Sequence, residues 1–393
     1  MIRALACLIA ACLIAATFAA THLPAAEIKF RKTTLDPKFR SEGVAVGDFN
    51  HDGQLDIAAG DLYYAAPDWR PTVFTEEEHA YDPLKYSRCF NMFADDVNSD
   101  GWTDILIVEY PGEATVWREN PRGSSGPWRR HEIIGVTNNE SPQYRDLDGD
   151  GRREWIMGTA PTTKTANGPD KQVVIVRRPA DVFGLWDVQP ISEKGVEEGI
   201  KFFHGLGSGD INGDGRTDVV VPTGWWESPA SAAPGPWPFH AANLGEPCAD
   251  MWVYDFDGDG DADVLSSSAH KIGIWWHEQT ADGWKTHEID SSFSQTHALW
   301  LADINGDGLP DFVTGKRYWA HGPKGDVNPG DPAVMYWFEL ARKDGKPVWT
   351  PHQFDNDSGV GTQFEVADVN KDGLLDVVTS NKKGVYYFQQ VRE

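Results

Sequence analysis

Apolar residues along this chain fall in short paired runs with a polar interval inside each pair. Val44-Ala45-Val46 and Ala298-Leu299-Trp300-Leu301 stand before such intervals, and Val219-Val220-Val221 and Val377-Val378-Thr379 stand after them. Alternation and β-branching at this length are strand signals, so each pair predicts a β-hairpin. The interval is always the same nine residues, Asp-x-Asn/Asp-x-Asp-Gly-x-x-Asp/Glu. It occurs seven times, starting at Asp48, Asp96, Asp146, Asp210, Asp255, Asp303 and Asp368, with start-to-start spacings of 45 to 65 residues. Periods of that size mark propellers and arrays. Two more strands complete several units. One ends near an aromatic residue (Trp117, Trp276, Trp337, Tyr387), and the other reads Trp-x-x-His, from Trp128 to His131, Trp237 to His240, Trp284 to His287 and Trp349 to His352. Four strands in each of seven units predict an all-β fold, a seven-bladed β-propeller.

The ring needs closing. The last unit stops after its third strand, Val385-Tyr386-Tyr387-Phe388, and Phe30-Arg31-Lys32-Thr33-Thr34-Leu35 has the character of a fourth. Residues 27–36 are therefore expected to complete the last blade, removing an exposed sheet edge. The propeller is expected to span 27–393. The first unit is the weakest, because Asp61–Arg88 shows no clean third and fourth strands.

Inside the intervals, oxygen donors recur at positions 1, 3, 5 and 9, and Gly at position 6 permits a sharp turn. A hard cation taking about six to eight oxygens wants such a loop, and calcium is the natural occupant. The expected ligands are Asp48, Asn50, Asp52 and Asp56; Asp96, Asn98, Asp100 and Asp104; Asp146, Asp148, Asp150 and Glu154; Asp210, Asn212, Asp214 and Asp218; Asp255, Asp257, Asp259 and Asp263; Asp303, Asn305, Asp307 and Asp311; and Asp368, Asn370, Asp372 and Asp376. Up to seven calcium ions are implied. An EF-hand would need Glu at position 12, where these loops carry Ala59, Ile107, Met157, Val221, Ser266, Thr314 and Thr379.

These loops change the meaning of the composition. The formal net charge is −25, but seven divalent ions would offset more than half of it. What remains is still acidic, which argues against nucleic acid as a partner. Residues 1–26 read as a secretory signal: Arg3, an apolar run from Ala4 to Ala20, then Leu23-Pro24-Ala25-Ala26. That run is short for a membrane span. Secretion or periplasmic export is expected. Lipid anchoring at Cys12, after Ile9-Ala10-Ala11, is the lesser alternative because so few residues separate it from Arg3. Cys89 and Cys248 lie in blades across the ring and are expected as free, buried thiols.

If the loops share the bottom face, residues six and five before each first Asp line the top of the central channel. Those pairs include Glu42-Gly43, Phe90-Asn91, Glu140-Ser141, His204-Gly205, His297-Ala298 and Thr362-Gln363, with Asp250 at the second position of its own pair. Second-strand exits add Trp225, His270, Lys316, Arg317 and His321 to the same mouth. His297, His204 or His321 would move protons there, and Lys316 with Arg317 would stabilise developing negative charge. Tyr318, Trp319, Trp225, Glu140 and Asp250 would hold a substrate. His204 and His297, with Asp250 between them and Glu140 nearby, also form a ligand set for one additional divalent transition metal in the channel. The Trp-x-x-His histidines recur with the blades and are expected to be structural.

The seven loops with strands on both sides resemble the FG-GAP/VCBS repeats of integrin-type propellers, over essentially the whole of 27–393. A narrower likeness, carried by Thr296–Asp303 and Gly315–His321, is to the propeller domain of aldos-2-ulose dehydratase, a sugar-dehydrating lyase whose cupin domains have no counterpart here. The first resemblance implies fold and calcium; the second implies a carbohydrate-directed carbon–oxygen lyase or hydratase. Two other classes stay open. One is a non-catalytic carbohydrate- or protein-binding module, and the other is an adhesion propeller merely stiffened by calcium.

Overall fold

A computed structural model describes residues 27–231, 235–248 and 250–393; the expected signal segment and Cys12 lie outside them. The described chain is a β-propeller with a single short 3-10 turn, Glu197–Gly199. Its strands form five four-stranded antiparallel sheets and one of eight strands. The large sheet consists of two four-strand sets joined at their inner edges, where Leu206–Gly209 pairs in parallel with Asp250–Tyr254. No helix among the described residues is long and apolar enough to cross a membrane.

Each nine-residue interval turns between the first and second strands of its sheet, and the position-9 carboxylate ties that turn down. Asp56 accepts the Phe49 N–H (3.0 Å) and, from beyond the third strand, the Ala66 N–H (2.9 Å). Asp104 does the same for Val97 and Asn120, and Asp311 holds Ile304 and, from within the longer third strand, Leu340. The spacing thus encodes a hairpin clamp in addition to any ligand set. In five loops the position-1 carboxylate accepts the N–H groups at positions 5 and 6, as Asp48 does from Asp52 (3.1 Å) and Gly53 (2.9 Å), whereas Asp146 and Asp255 accept those at positions 4 and 6. The loops are therefore shaped with their oxygens turned inward.

The Trp-x-x-His histidines belong to the outer wall. His131 stacks on Trp117 with centroids 4.4 Å apart and meets Glu119 at 2.9 Å. His240, His287 and His352 repeat the arrangement on Trp225, Trp276 and Trp337, each with a glutamate. The first sheet corrects the reading of Asp61–Arg88: Leu62–Ala65 and Arg70–Val73 supply its third and fourth strands. Four residues each, one of them with Pro in an outer edge, leave too little periodicity to see. Cys89 and Cys248 are free and buried.

The strand Ile28–Asp36 lies antiparallel to Gly384–Arg392 as the outer strand of the last sheet, from Ile28 opposite Arg392 to Asp36 opposite Val385. Phe30 packs on Phe354 at 4.5 Å, and Asp36 holds Arg40 (2.7 Å) and Tyr64 (3.2 Å) of the first sheet. Residues 27–36 thus bind the last blade to the first. Removing them is expected to lower the melting temperature by more than about 5 °C or to cause aggregation, since an unpaired edge templates association. Calorimetry and size-exclusion chromatography of the deletion would decide; melting like that of 27–393 would refute a closing role.

Candidate functional site

The inner strands start at the end of the channel opposite the loops, and four of the residues preceding them converge there. His204 Nε2 lies 3.1 Å from His297 Nε2 and 3.2 Å from His270 Nε2. Glu140 Oε2 is 3.2 Å from His297 Nε2 and 3.6 Å from His204 Nε2. Arg317 grips the same carboxylate from behind (Nη1, 3.1 Å) and reaches Glu42 Oε2 with Nη2 (3.2 Å). His297, Arg317, Glu42 and Glu140 are almost wholly buried, whereas His270 is partly accessible.

Three imidazole nitrogens facing one another have a problem that protons solve badly. A proton on one nitrogen serves one neighbour, and a second proton adds repulsion. Burial and then the Arg317 charge push His297 well below the ordinary histidine range, and burial also lowers His270. Glu140 resists its own burial and is held well below the carboxylate range by His204, His297 and Arg317. Metal ligation needs an unprotonated imidazole nitrogen and an ionised carboxylate, the states favoured at His297, His270 and Glu140. Metal–nitrogen bonds of ~2.0–2.1 Å place neighbouring donors about 2.9–3.4 Å apart in octahedral or tetrahedral geometry; the His204–His297, His204–His270 and Glu140–His297 spacings of 3.1, 3.2 and 3.2 Å fall in that range, and Glu140–His204 at 3.6 Å lies just outside it.

Outside this centre, Asp326 accepts the His321 backbone N–H (2.8 Å), meets His321 Nδ1 at 2.8 Å and faces His270 Nδ1 at 3.4 Å. A carboxylate behind a ligating histidine fixes ring and tautomer. Burial works against the Asp326 charge, yet His270 and His321 hold it far below the usual range. His321 itself stands half-exposed at the rim. Tyr86, Phe90, Tyr110 and Phe202 form a chain of edge and tilted contacts beside the centre, with centroids 5.4–5.8 Å apart.

Several sequence assignments move. Asp250 is not a partner of His204 and His297: the parallel register sets it beside Leu206, two residues further down the channel, where Gln143 Nε2 (3.2 Å) and the Leu299 N–H (3.3 Å) hold it. Lys316 is fully buried and donates to Ser294 Oγ (2.7 Å) and the Asn328 carbonyl (2.8 Å), so it anchors the Tyr318–Ala333 excursion instead of facing the mouth. Arg317 is a buried clamp between two carboxylates. Trp225 belongs to the outer-wall stack with His240. Tyr318 and Trp319 pack on each other (4.8 Å), and Lys383 sits over Tyr318 (4.6 Å). His270 enters the cluster from its second-strand exit, as the repeat geometry predicts, whereas Asp326 comes from a long loop where no periodicity singles it out.

Below the centre, a cavity of about 210 Å³ occupies the channel among Asn91, Arg145, Asp250, Trp252, Gln363 and Glu365. Burial pushes Asp250 up to about 7 and Glu365 up to about 8. A carboxyl whose folded pKa is raised contributes stability at low pH that is lost as pH climbs through that value. Glu365→Gln is therefore expected to stabilise the protein by roughly 2 kcal/mol at pH 8, allowing for channel water, and to change little at pH 4. Parallel denaturant melts at the two pH values test this, and an equal effect at both would refute it.

A model of the FG-GAP-like repeat matches residues 96–157 and 255–314. None of the curated proteins searched matches the chain. Among solved structures, BBS1N in complex with ARL6DN aligns over 92% of this chain and 98% of its own, with TM-score 0.51 and 9% identity. A lectin of Agrocybe aegerita described as recognising non-reducing terminal N-acetylglucosamine aligns over 93% and 86%, at TM-score 0.44 and 13% identity. The rhamnogalacturonan lyase YesW aligns over 91% and 72%, at 0.44 and 14%. At such identities the likeness concerns the fold alone.

Proposed function

We propose that this protein is an exported, seven-bladed propeller that holds a divalent transition metal at the top of its channel and uses it on a carbohydrate, as a carbon–oxygen lyase. The observation that carries the reading is the meeting of His204, His270 and His297 through Nε2 atoms at 3.1 and 3.2 Å, with the Glu140 carboxylate against two of them. Counting the eight-stranded sheet as two blades gives seven blades for seven loops, and calcium in those loops would stiffen the scaffold.

In this reading His297 and His204 are ligands, not bases. A metal there would supply Lewis acidity to a carbonyl or carboxylate oxygen. His321, oriented by Asp326 and open at the rim, would take the proton from the adjacent carbon. The bond from the next carbon to its oxygen would then break as a double bond forms, and the leaving oxygen would take the proton back from His321.

Elemental analysis and anomalous scattering of the purified protein test the metal. Sugar and keto-sugar substrates screened for new ultraviolet absorbance test the chemistry. One bound ion among the four residues together with unsaturated product is the expected result; a metal-free protein ends the reading. A second reading draws on the enclosure of the cluster, since metal sites with every position filled by protein are structural. A non-catalytic carbohydrate- or protein-binding propeller would then hold the ion without turnover.

A further inference from the structure

Beside the proposed metal centre, two charged groups lack the partners that burial demands. Lys382 follows the strand Asp376–Asn381 and turns inward, only 4% exposed. Its Nζ has three donors, yet its one hydrogen bond among the described residues goes to the Ala320 carbonyl at 3.3 Å. The ammonium sits 4.5 Å from the Tyr86 ring centroid, over its face. The next residue behaves differently: Lys383 pairs with Asp357 at 2.7 Å near the surface. Asn381 fixes the turn by donating to the Ser358 (3.0 Å) and Gly359 (2.9 Å) carbonyls, so the inward course of Lys382 is built in. The second group is Glu42. Its Oε2 meets Arg317, but its Oε1 is buried without a hydrogen bond.

Both groups face one centre. Ala320, whose carbonyl Lys382 meets, directly precedes His321 at the rim, and Arg317, which Glu42 meets, also holds Glu140. Buried ammonium and carboxylate groups without partners are costly, so an arrangement that keeps both open is one that a ligand completes. The open groups indicate which ligand. An ammonium with free donors takes an anionic oxygen, and a carboxylate oxygen without a donor takes a hydroxyl.

We propose that the site takes a carboxylate-bearing sugar, a uronic or aldonic acid unit, with its carboxylate on the Lys382 ammonium and a hydroxyl donating to Glu42 Oε1. The assignment rests on the metal-centred reading above, and it makes Lys382 a specificity-determining residue. Tyr86 lies beneath the ammonium and presents the adjoining ring face.

Calorimetric titration of the metal-loaded full chain with D-glucuronate and with D-glucose, sugars that differ at C6, tests the proposal. Glucuronate should bind at least about tenfold more tightly, the scale of one hydrogen bond between charged groups. Lys382→Gln should remove that preference while Lys382→Arg keeps most of it, and metal content measured on each variant shows whether the centre survived. Equal binding of the two sugars by the unsubstituted protein overturns the proposal, as does no binding of either or a preference that persists in Lys382→Gln. A metal-free protein that still prefers glucuronate would sink the metal-centred reading and leave the role of Lys382 standing.

Discussion

His297→Ala is expected to abolish retention of the channel metal and to reduce any lyase turnover by more than about 100-fold, because loss of even an outer partner of a metal ligand costs 10–100-fold. The ring is fully buried and its Nε2 is the one that faces both His204 and Glu140. Without it, two imidazoles and a carboxylate remain, with Glu140 3.6 Å from His204 and still paired with Arg317. The substitution also opens a cavity, so some stability is lost, of the order of 1–3 kcal/mol. That loss must be separated from the functional one. Glu365→Gln, lower in the same channel, provides a control in which metal content should not change. Elemental analysis, melting temperature and turnover measured together decide. A His297→Ala protein that keeps stoichiometric metal would refute the ligand set, and one that loses metal but keeps turnover would move the chemistry elsewhere.

The loops and hairpins were legible because each is a local event: Asp at position 1, Gly at position 6 and an acid at position 9 act within nine residues, and they recur. The closing strand was legible for a different reason. Phe30 to Leu35 matches a strand type whose place was vacant in the last unit. The channel cluster was legible in half. His204, His297 and Glu140 occupy equivalent places before their inner strands, so repeat logic aligned them, and the structure brings them together. Asp250 occupies a similar sequence position but sits beside Leu206, a register that only the parallel pairing between two sheets sets. His270 and Lys382 follow second strands, an exit the repeat aims at the mouth, although only His270 stands out there by its chemistry; Asp326 comes from the Tyr318–Ala333 excursion, where no periodicity points inward. Trp225 misled because it was read as a second-strand exit, whereas it lies within the third strand Gly224–Trp226 and stacks on His240 of the outer wall.

Chelation of calcium is expected to lower the melting temperature by more than about 10 °C. The loops are held by hydrogen bonds that gather carboxylates: Asp48, Asp96, Asp210 and Asp368 each accept the N–H groups at positions 5 and 6 of their own loop. Position 9 is buried, and without an ion that burial pushes Asp104 and Asp311 up to about 7, and Asp56, Asp263 and Asp376 up to about 6. Each ion-free loop therefore stores unfavourable charge that a bound cation would relieve. A ligand that binds only the folded state stabilises it by about 2.7 kcal/mol at a hundred times its Kd, so several sites acting on one ring add to a large shift. Scanning calorimetry in excess EGTA, followed by restoration with calcium alone, measures it. Asp307→Ala should give a smaller version, confined to one loop, whose deficit added calcium does not repair. A melting curve indifferent to EGTA would leave the nine-residue pattern as a hairpin clamp and nothing more, since the backbone bonds of Asp56, Asp104 and Asp311 would then account for it unaided.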